Sequence, residues 1–212
     1  MKHGHDSSSP VREPVQARSR EKKHRIVQCA RELINEQGYD AITTNTIARR
    51  AGVSIGTLYA YFNNKKDILM EVVAAFNEDI YTHFQSGIRE NTTSILSLEE
   101  TIDAVLRALW HAHIHEKQLH NEIIILSLKD PEVEAAFTAN DERLFERIRE
   151  LLIRFNDRIE MEDPTAAMFV LKYAVDGVIN RLLEIENGMA IDAVLRELSV
   201  MVLKYLAITS GN

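Results

Sequence analysis

The chain has 212 residues, 45% of them apolar and 27% charged, enough apolar material for a real core in one domain or in a small domain joined to a larger one. Only 8 Gly and 4 Pro are present, which excludes a β-sandwich or barrel with a turn every ~8 to 12 residues. The net charge of −7 conceals a division: residues 1–70 carry twelve Lys and Arg against seven Asp and Glu, and the remainder carries thirteen against twenty-five. A basic first third suits contact with an anion such as nucleic acid, and an acidic remainder does not.

A single cysteine, Cys29, allows no intrachain disulfide and no cysteine metal cluster, and fits a reducing compartment. No uninterrupted apolar run approaches the ~18 residues of a membrane span, and the polar start MKHGHDSSSPVREP lacks the apolar core of a signal peptide. A cytoplasmic protein without a membrane partner is expected.

In chain order, residues 1–16 hold Ser7-Ser8-Ser9-Pro10 and Pro14 and are expected to form a flexible arm. From about Arg18, the residues Ile26, Val27, Ala30, Leu33 and Ile34 recur at helical spacing, and Gly38 stands where a left-handed cap ends helix one. Thr43 and Thr44 can cap a short helix two through Ile47, Ala48 and Ala51. Ser54 can cap a short helix three holding Thr57, Leu58, Tyr59, Tyr61 and Phe62. Asn64 then caps a long helix four, whose stripe runs from Ile68 to Phe84 and which is expected to stop at Gly87.

Beyond it, Ser97-Leu98-Glu99-Glu100 has the spacing of a capping box, and Asp130-Pro131 and Asp163-Pro164 each set a capping carboxylate before a proline. Helices are predicted at 98–115, 117–128, 131–158, 164–186 and 190–208, and the run Ile123-Ile124-Ile125-Leu126 is read as helix because no partner strand exists for it. The last two helices are apolar on more than one face. Their surplus is most simply buried against a second copy, in an isologous two-fold bundle.

Two short helices around Ala51-Gly52-Val53-Ser54 suit a helix-turn-helix, whose second helix enters the major groove. Gly52 tolerates the positive φ of the turn and Gly56 lets backbone approach DNA. Tyr and Thr hydroxyls can donate to phosphates, and Lys65 and Lys66 add charge at the groove edge.

The segment from Thr43 through Ala48-Arg49-Arg50-Ala51-Gly52-Val53-Ser54-Ile55-Gly56-Thr57-Leu58-Tyr59-Ala60-Tyr61-Phe62 to Lys65 closely resembles the DNA-binding signature of the tetracycline-repressor (TetR) family of bacterial transcription regulators. The resemblance spans about 20–69 without a gap. It implies an all-α fold of about nine helices, with a helix-turn-helix DNA-binding domain at 17–65 and a ligand-binding and dimerisation domain at 66–212. It also implies a homodimer, here through 164–186 and 190–208, on a palindromic double-stranded operator, released by a small-molecule effector; no cofactor and no metal are expected. Thr44 and Asn45 would lie near phosphate. Ser54, Ile55, Gly56 and Thr57 fall at the groove-facing start of helix three. Tyr59 and Tyr61 would face DNA backbone or base edges, and Lys65 would reach phosphate. Ile55 can offer only apolar contact, as to a thymine methyl. Trp110 and His113 on helix five, with Phe137 and Asp141 on helix seven, are the expected lining of an effector pocket.

His111, His113, His115 and His120 crowd into ten residues. They read as solvated or core-edge residues at a helix junction, with a metal or proton-sensing site as the alternative; spacing supplies no third ligand for the His111 and His115 pair. An enzyme is not expected, since nucleophile constellation and phosphate-binding glycine loop are both missing. The competing reading is a DNA-bound protein whose acidic domain recruits a protein partner without a small effector.

Overall fold

The computed structural model describes residues 13–91, 97–155, 157–159, 161, 163–184 and 190–207; most of the expected arm, 1–12, lies outside them. Among the described residues the fold is all-α: α1 (Glu13–Gln37), α2 (Thr44–Arg50), α3 (Ile55–Tyr59), α4 (Lys65–Asn91), α5 (Leu98–Ile114), α6 (Lys117–Ser127), α7 (Pro131–Leu152), α8 (Pro164–Glu184) and α9 (Ile191–Ala207), with a 3₁₀ turn at Ile153–Phe155. The Ile123 to Leu126 run is helical, within α6, with Ile123 and Leu126 buried.

The chain divides into two compact units, one ending at Val72 and the other beginning at Val73. The division falls inside α4, whose first turns bury Ile68, Leu69 and Val72. In the first unit Ile26, Ala30, Ile34, Ile42, Ile47, Leu58 and Phe62 form the buried set. In the second, α5 is the central helix, packing on α6, α7, α8 and α9. Its Leu98, Ile102 and Leu106 join Leu171 of α8 and Leu198, Val202 and Leu206 of α9, and Trp110 packs with Ile179, Leu182, Leu183 and Leu195.

Local chemistry sets most boundaries. The Ser97 side chain accepts the Glu100 N–H at 3.1 Å while Glu100 accepts the Ser97 N–H at 2.8 Å, a reciprocal box that starts α5. Asp130 accepts the Glu132 N–H at 3.0 Å ahead of α7. Asp163 accepts those of Thr165 and Ala166 at 3.0 and 3.1 Å ahead of α8.

Several boundaries differ from the sequence expectation: α3 ends at Tyr59, so Tyr61 and Phe62, expected within it, follow it in the link to α4, and two of the other differences have a packing reason. α1 is already helical at Glu13, ahead of Arg18. α7 ends at Leu152 rather than 158: the turn at Ile153–Phe155 redirects the chain so that Phe155, Ile159 and Met161 pack against the α5 and α9 core. α4 continues through Gly87 to Asn91, and Gly87 is a spacer instead of a stop. A Cβ built on it would lie 3.0 Å from the Ala108 Cβ and 3.4 Å from the Ala108 Cα of α5. Neither atom can swing away, so Gly87 sets how closely α4 and α5 approach.

Gly87→Ala is therefore expected to lower stability by about 1 kcal/mol, overpacking at the helix contact outweighing the helix propensity gained. Adding Ala108→Gly should recover stability that the two single changes do not sum to, as measured by denaturant unfolding of the four proteins of the cycle.

Candidate nucleic-acid interface and interior cavity

Gly38, at φ 79°, closes α1 with its N–H on the Ile34 carbonyl at 2.8 Å. α2 starts with another reciprocal cap: Thr43 Oγ1 accepts the Thr46 N–H at 3.1 Å and Thr46 Oγ1 accepts the Thr43 N–H at 2.9 Å. α2 ends in a Schellman turn, with Gly52 at φ 63°, its N–H on the Arg49 carbonyl at 3.2 Å, and the Val53 N–H on the Ala48 carbonyl at 3.0 Å. Ser54 then accepts the Thr57 N–H at 3.1 Å and begins α3. Two residues separate the turn's glycine from α3, so the backbone bonds of the turn and the Ser54 cap together set where α3 begins.

One side of α3 is committed to the core by Leu58, followed by the buried Phe62. The other presents Ile55 at 38% exposure, Gly56, and Tyr59 at 51%. Gly56 is informative because nothing in the fold calls for it: its φ is ordinary, and a built Cβ would meet only Ser54 Oγ, at 3.9 Å.

Several of the expected DNA-facing residues are tied to other residues of the first unit. Thr44 Oγ1 and the Tyr59 hydroxyl are 3.1 Å apart, linking the start of α2 to the end of α3, and Ser19 Oγ and the Tyr61 hydroxyl are 3.1 Å apart. Asn45 is exposed on the first turn of α2. Lys65 donates to the Tyr39 and Ile42 carbonyls at 3.0 and 3.1 Å and sits 4.1 Å from the Tyr39 ring centre, so two of its three N–H groups brace the α1–α2 loop. Asn64 caps α4 by accepting the Asp67 N–H at 2.9 Å. The backbone and side-chain N–H groups of Asn63 hold the Asp67 carboxyl below its usual range.

Two cations that sequence reading passed over are sorted by the structure. Arg50 forks onto Glu36, at 2.7 and 3.2 Å, and fastens α2 to α1. Arg49, exposed beside it, has no ion pair among the described residues. Alternation of partnered and open arginines is invisible until α1 and α2 are placed together.

In the second unit a cavity of about 90 Å³ is lined by apolar side chains of α5, α7, α8 and α9, Phe145 among them, and by one polar corner: His113, Asp141, Lys172 and Asp176. Trp110 and Phe137, expected beside His113 and Asp141, do not line it: Trp110 belongs to the α8 and α9 cluster, and the Phe137 ring lies 6.0 Å from that of His120. Lys172 and Asp176 were missed, although two charges four residues apart on a helix otherwise apolar on most sides are a sequence signal for a polar interior.

His113 Nδ1 donates to the Leu109 carbonyl at 2.7 Å, and burial holds the ring's pKa below its ordinary value and so keeps it neutral. His120 stands edge-on to His113 with centroids 5.0 Å apart and Nε2 3.0 Å from Asn180 Oδ1. Burial, then the neighbouring His113, push its pKa down to about 4 against the Asn180 bond. His111 and His115 are exposed, and among the described residues no group of three or more His, Cys, Asp or Glu could hold a metal ion. Lys172 Nζ lies 3.4 Å from Asp141 Oδ2. Burial first, then Asp141, raise the Asp176 pKa to about 6, with Lys172 opposing.

Against known proteins, the family model described as bacterial regulatory proteins of the tetR family matches residues 26–72. A second model, the tetracycline repressor-like C-terminal domain, matches residues 97–206. The HTH-type transcriptional regulator TtgW of Pseudomonas putida is 32% identical over 110 residues, 51% of this chain and 76% of that protein. An HTH-type regulator of Staphylococcus aureus is 34% identical over 89 residues, 42% of this chain and 48% of its own. A TetR-family regulator structure from Mesorhizobium loti superposes with a TM-score of 0.72 at 23% identity, over 90% of this chain and 98% of the other. The fatty acid degradation regulator FadR from Bacillus halodurans gives 0.66 at 21%, over 93% and 97%. Those structural likenesses are likenesses of fold.

His120 and Asp176 give the second unit a testable pH response. His120, depressed from 6.5, contributes stability that is full above pH 6.5 and lost as pH falls toward 4; Asp176, raised from 3.8, penalises the folded state above pH 6 and releases that penalty as pH falls. Asp176→Asn should therefore be more stable than the parent at pH 8, by up to about 3 kcal/mol. That gain should shrink to under about 1 kcal/mol by pH 4, and urea unfolding across pH 4 to 8 measures both.

Proposed function

This chain belongs to the TetR family of bacterial transcriptional regulators and is a DNA-binding regulator rather than an enzyme, and from that premise we propose that it is a homodimeric cytoplasmic repressor. In this reading a small molecule releases it from a palindromic operator. The observation that carries the DNA half is the outward side of α3: Ile55, Gly56 and Thr57 follow a turn fixed by backbone bonds, and the glycine among them answers no need of the fold. Helix propensity alone would favour alanine there by about 1 kcal/mol, so the bare backbone points to a close approach from outside the chain. Ser54 caps that helix beside them. Thr44, Asn45, Tyr59 and Tyr61 then supply hydroxyl and amide groups to phosphates or base edges, and Lys65 retains one N–H for phosphate after bracing its loop.

Dimerisation draws on α8 and α9. Phe169 and Tyr173 are 62% and 57% exposed, with rings 4.6 Å apart, and Val170, Val200, Met201 and Tyr205 are exposed as well. Apolar side chains of this size, open along two helices, suit burial against the same surface of a second copy. Two heads fixed in that way would meet half-sites one helical turn, or a multiple, apart. A ligand acts only through a preference for one arrangement of the heads, and α4, the helix common to both units, is the element to carry it.

The cavity is well under the ~300 Å³ typical of pockets that enclose a drug-sized ligand. That restricts the effector to a small molecule or requires the helices to part around it. It is also the observation on which the rival reading rests, a DNA-bound protein that recruits a protein partner through its acidic domain.

Gly56→Ala is the sharpest test. The variant should be as stable as the parent or up to about 1 kcal/mol more stable, yet bind its selected duplex at least tenfold more weakly by fluorescence anisotropy. Unchanged affinity would remove α3 from the interface.

A further inference from the structure

Within the reading of the second unit as an effector domain, we propose that its cavity is a site for a small amphipathic amine, with the apolar body on the apolar wall and the ammonium on the Asp176 carboxylate. The wall and the polar groups are segregated: Ile102, Leu106, Leu109, Leu144, Ile148 and Leu171 are among the apolar lining, while the charges stand together on α7 and α8. A ligand matching that lining has one polar end.

The sign of that end follows from a count of charges. Two carboxylates face one ammonium, since His113 is neutral and brings no positive charge. Lys172 spends its charge on Asp141, at 3.4 Å, and Asp176 makes no ion pair among the described residues. Lys172 and Asp176 are four apart on α8 and so lie on one face, but the nearer carboxylate is the one across on α7. An anionic ligand would have to take Lys172 from Asp141 and then sit beside two uncompensated carboxylates. A neutral ligand would leave the half-buried Asp176 without a partner. A ligand ammonium supplies the missing charge, in a setting where a charge-assisted hydrogen bond is strong. The raised Asp176 pKa is what an uncompensated carboxylate in this position shows, with desolvation and Asp141 as its causes.

Size narrows the body. A cavity of about 90 Å³ is smaller than the ~150 Å³ that accommodates benzene in an engineered protein interior, so short alkyl chains fit first. Longer ones need the unbranched Met168 on the lining to move.

The test titrates the full-length protein at pH 7.5 with butyl-, hexyl- and octylamine, with the matching n-alcohols and with the matching n-alkanoates, by isothermal calorimetry. The amines should bind at least tenfold more tightly than the alcohol or alkanoate of equal length. Asp176→Asn, whose melting temperature checks that it is folded, should lose about tenfold for the amines and nothing for the alcohols. Alcohols or alkanoates binding as well as amines, or an Asp176→Asn protein that keeps its amine affinity, would overturn the amine assignment and leave the cavity as an effector site for another chemistry. If none of the three series binds, the cavity is not a site for ligands of this size, and the amine proposal fails together with the effector reading of this cavity.

Discussion

The turn at Gly52 is the constraint on which the DNA-binding head depends. With φ at 63° it lets the N–H groups of Gly52 and Val53 close back on Arg49 and Ala48, which ends α2 and launches Ser54 into the cap of α3 within two residues. An L-residue with a side chain would meet the left-handed penalty there, of order 1 kcal/mol, even though nothing lies within 4 Å of a built Cβ. Everything outward of the turn inherits its geometry. Leu58 is driven into the core, and the opposite side of a five-residue helix is left with Ile55, Gly56 and Tyr59. The Thr44 to Tyr59 and Arg50 to Glu36 contacts then lock the short helices to each other and to α1, and of the exposed side of α3 they use only the Tyr59 hydroxyl.

Elements written in local chemistry are legible in the sequence alone. Thr43, Ser54, Asn64, Ser97, Asp130 and Asp163 all cap helices where their residue types and spacing say they should, because an N-cap bond spans only two or three residues. The features that escaped are those decided by distant neighbours. Gly87 looks like a helix stop from its own sequence and becomes a spacer only because Ala108 of α5 lies against it. The end of α7 is moved by the burial of Phe155, Ile159 and Met161, and no local signal announces it. Lys65 reads as a free charge next to a DNA-binding signature, whereas the fold brings two loop carbonyls within 3.1 Å of its ammonium.

The same division holds for the interior. Of four pocket residues expected from the family resemblance, His113 and Asp141 line the cavity with Lys172 and Asp176, while Trp110 and Phe137 face other packing. Large aromatics are drawn to whichever core has room, and chain position does not say which. Charged residues on an apolar helix have fewer places to go. Lys172 and Asp176 on α8 have to meet each other, a partner across the cavity, or something that enters it.

The basic first third and the acidic remainder fit the function proposed: a head whose α3 would meet DNA, and a second unit whose α8 and α9 leave large apolar side chains exposed. The most direct measurement is selection of bound sequences from a library of randomised duplex DNA with the purified protein. The account predicts enrichment of two inverted half-sites whose centres lie one helical turn, or a multiple, apart. Enrichment of a single unrepeated site, or of no sequence at all, would contradict it.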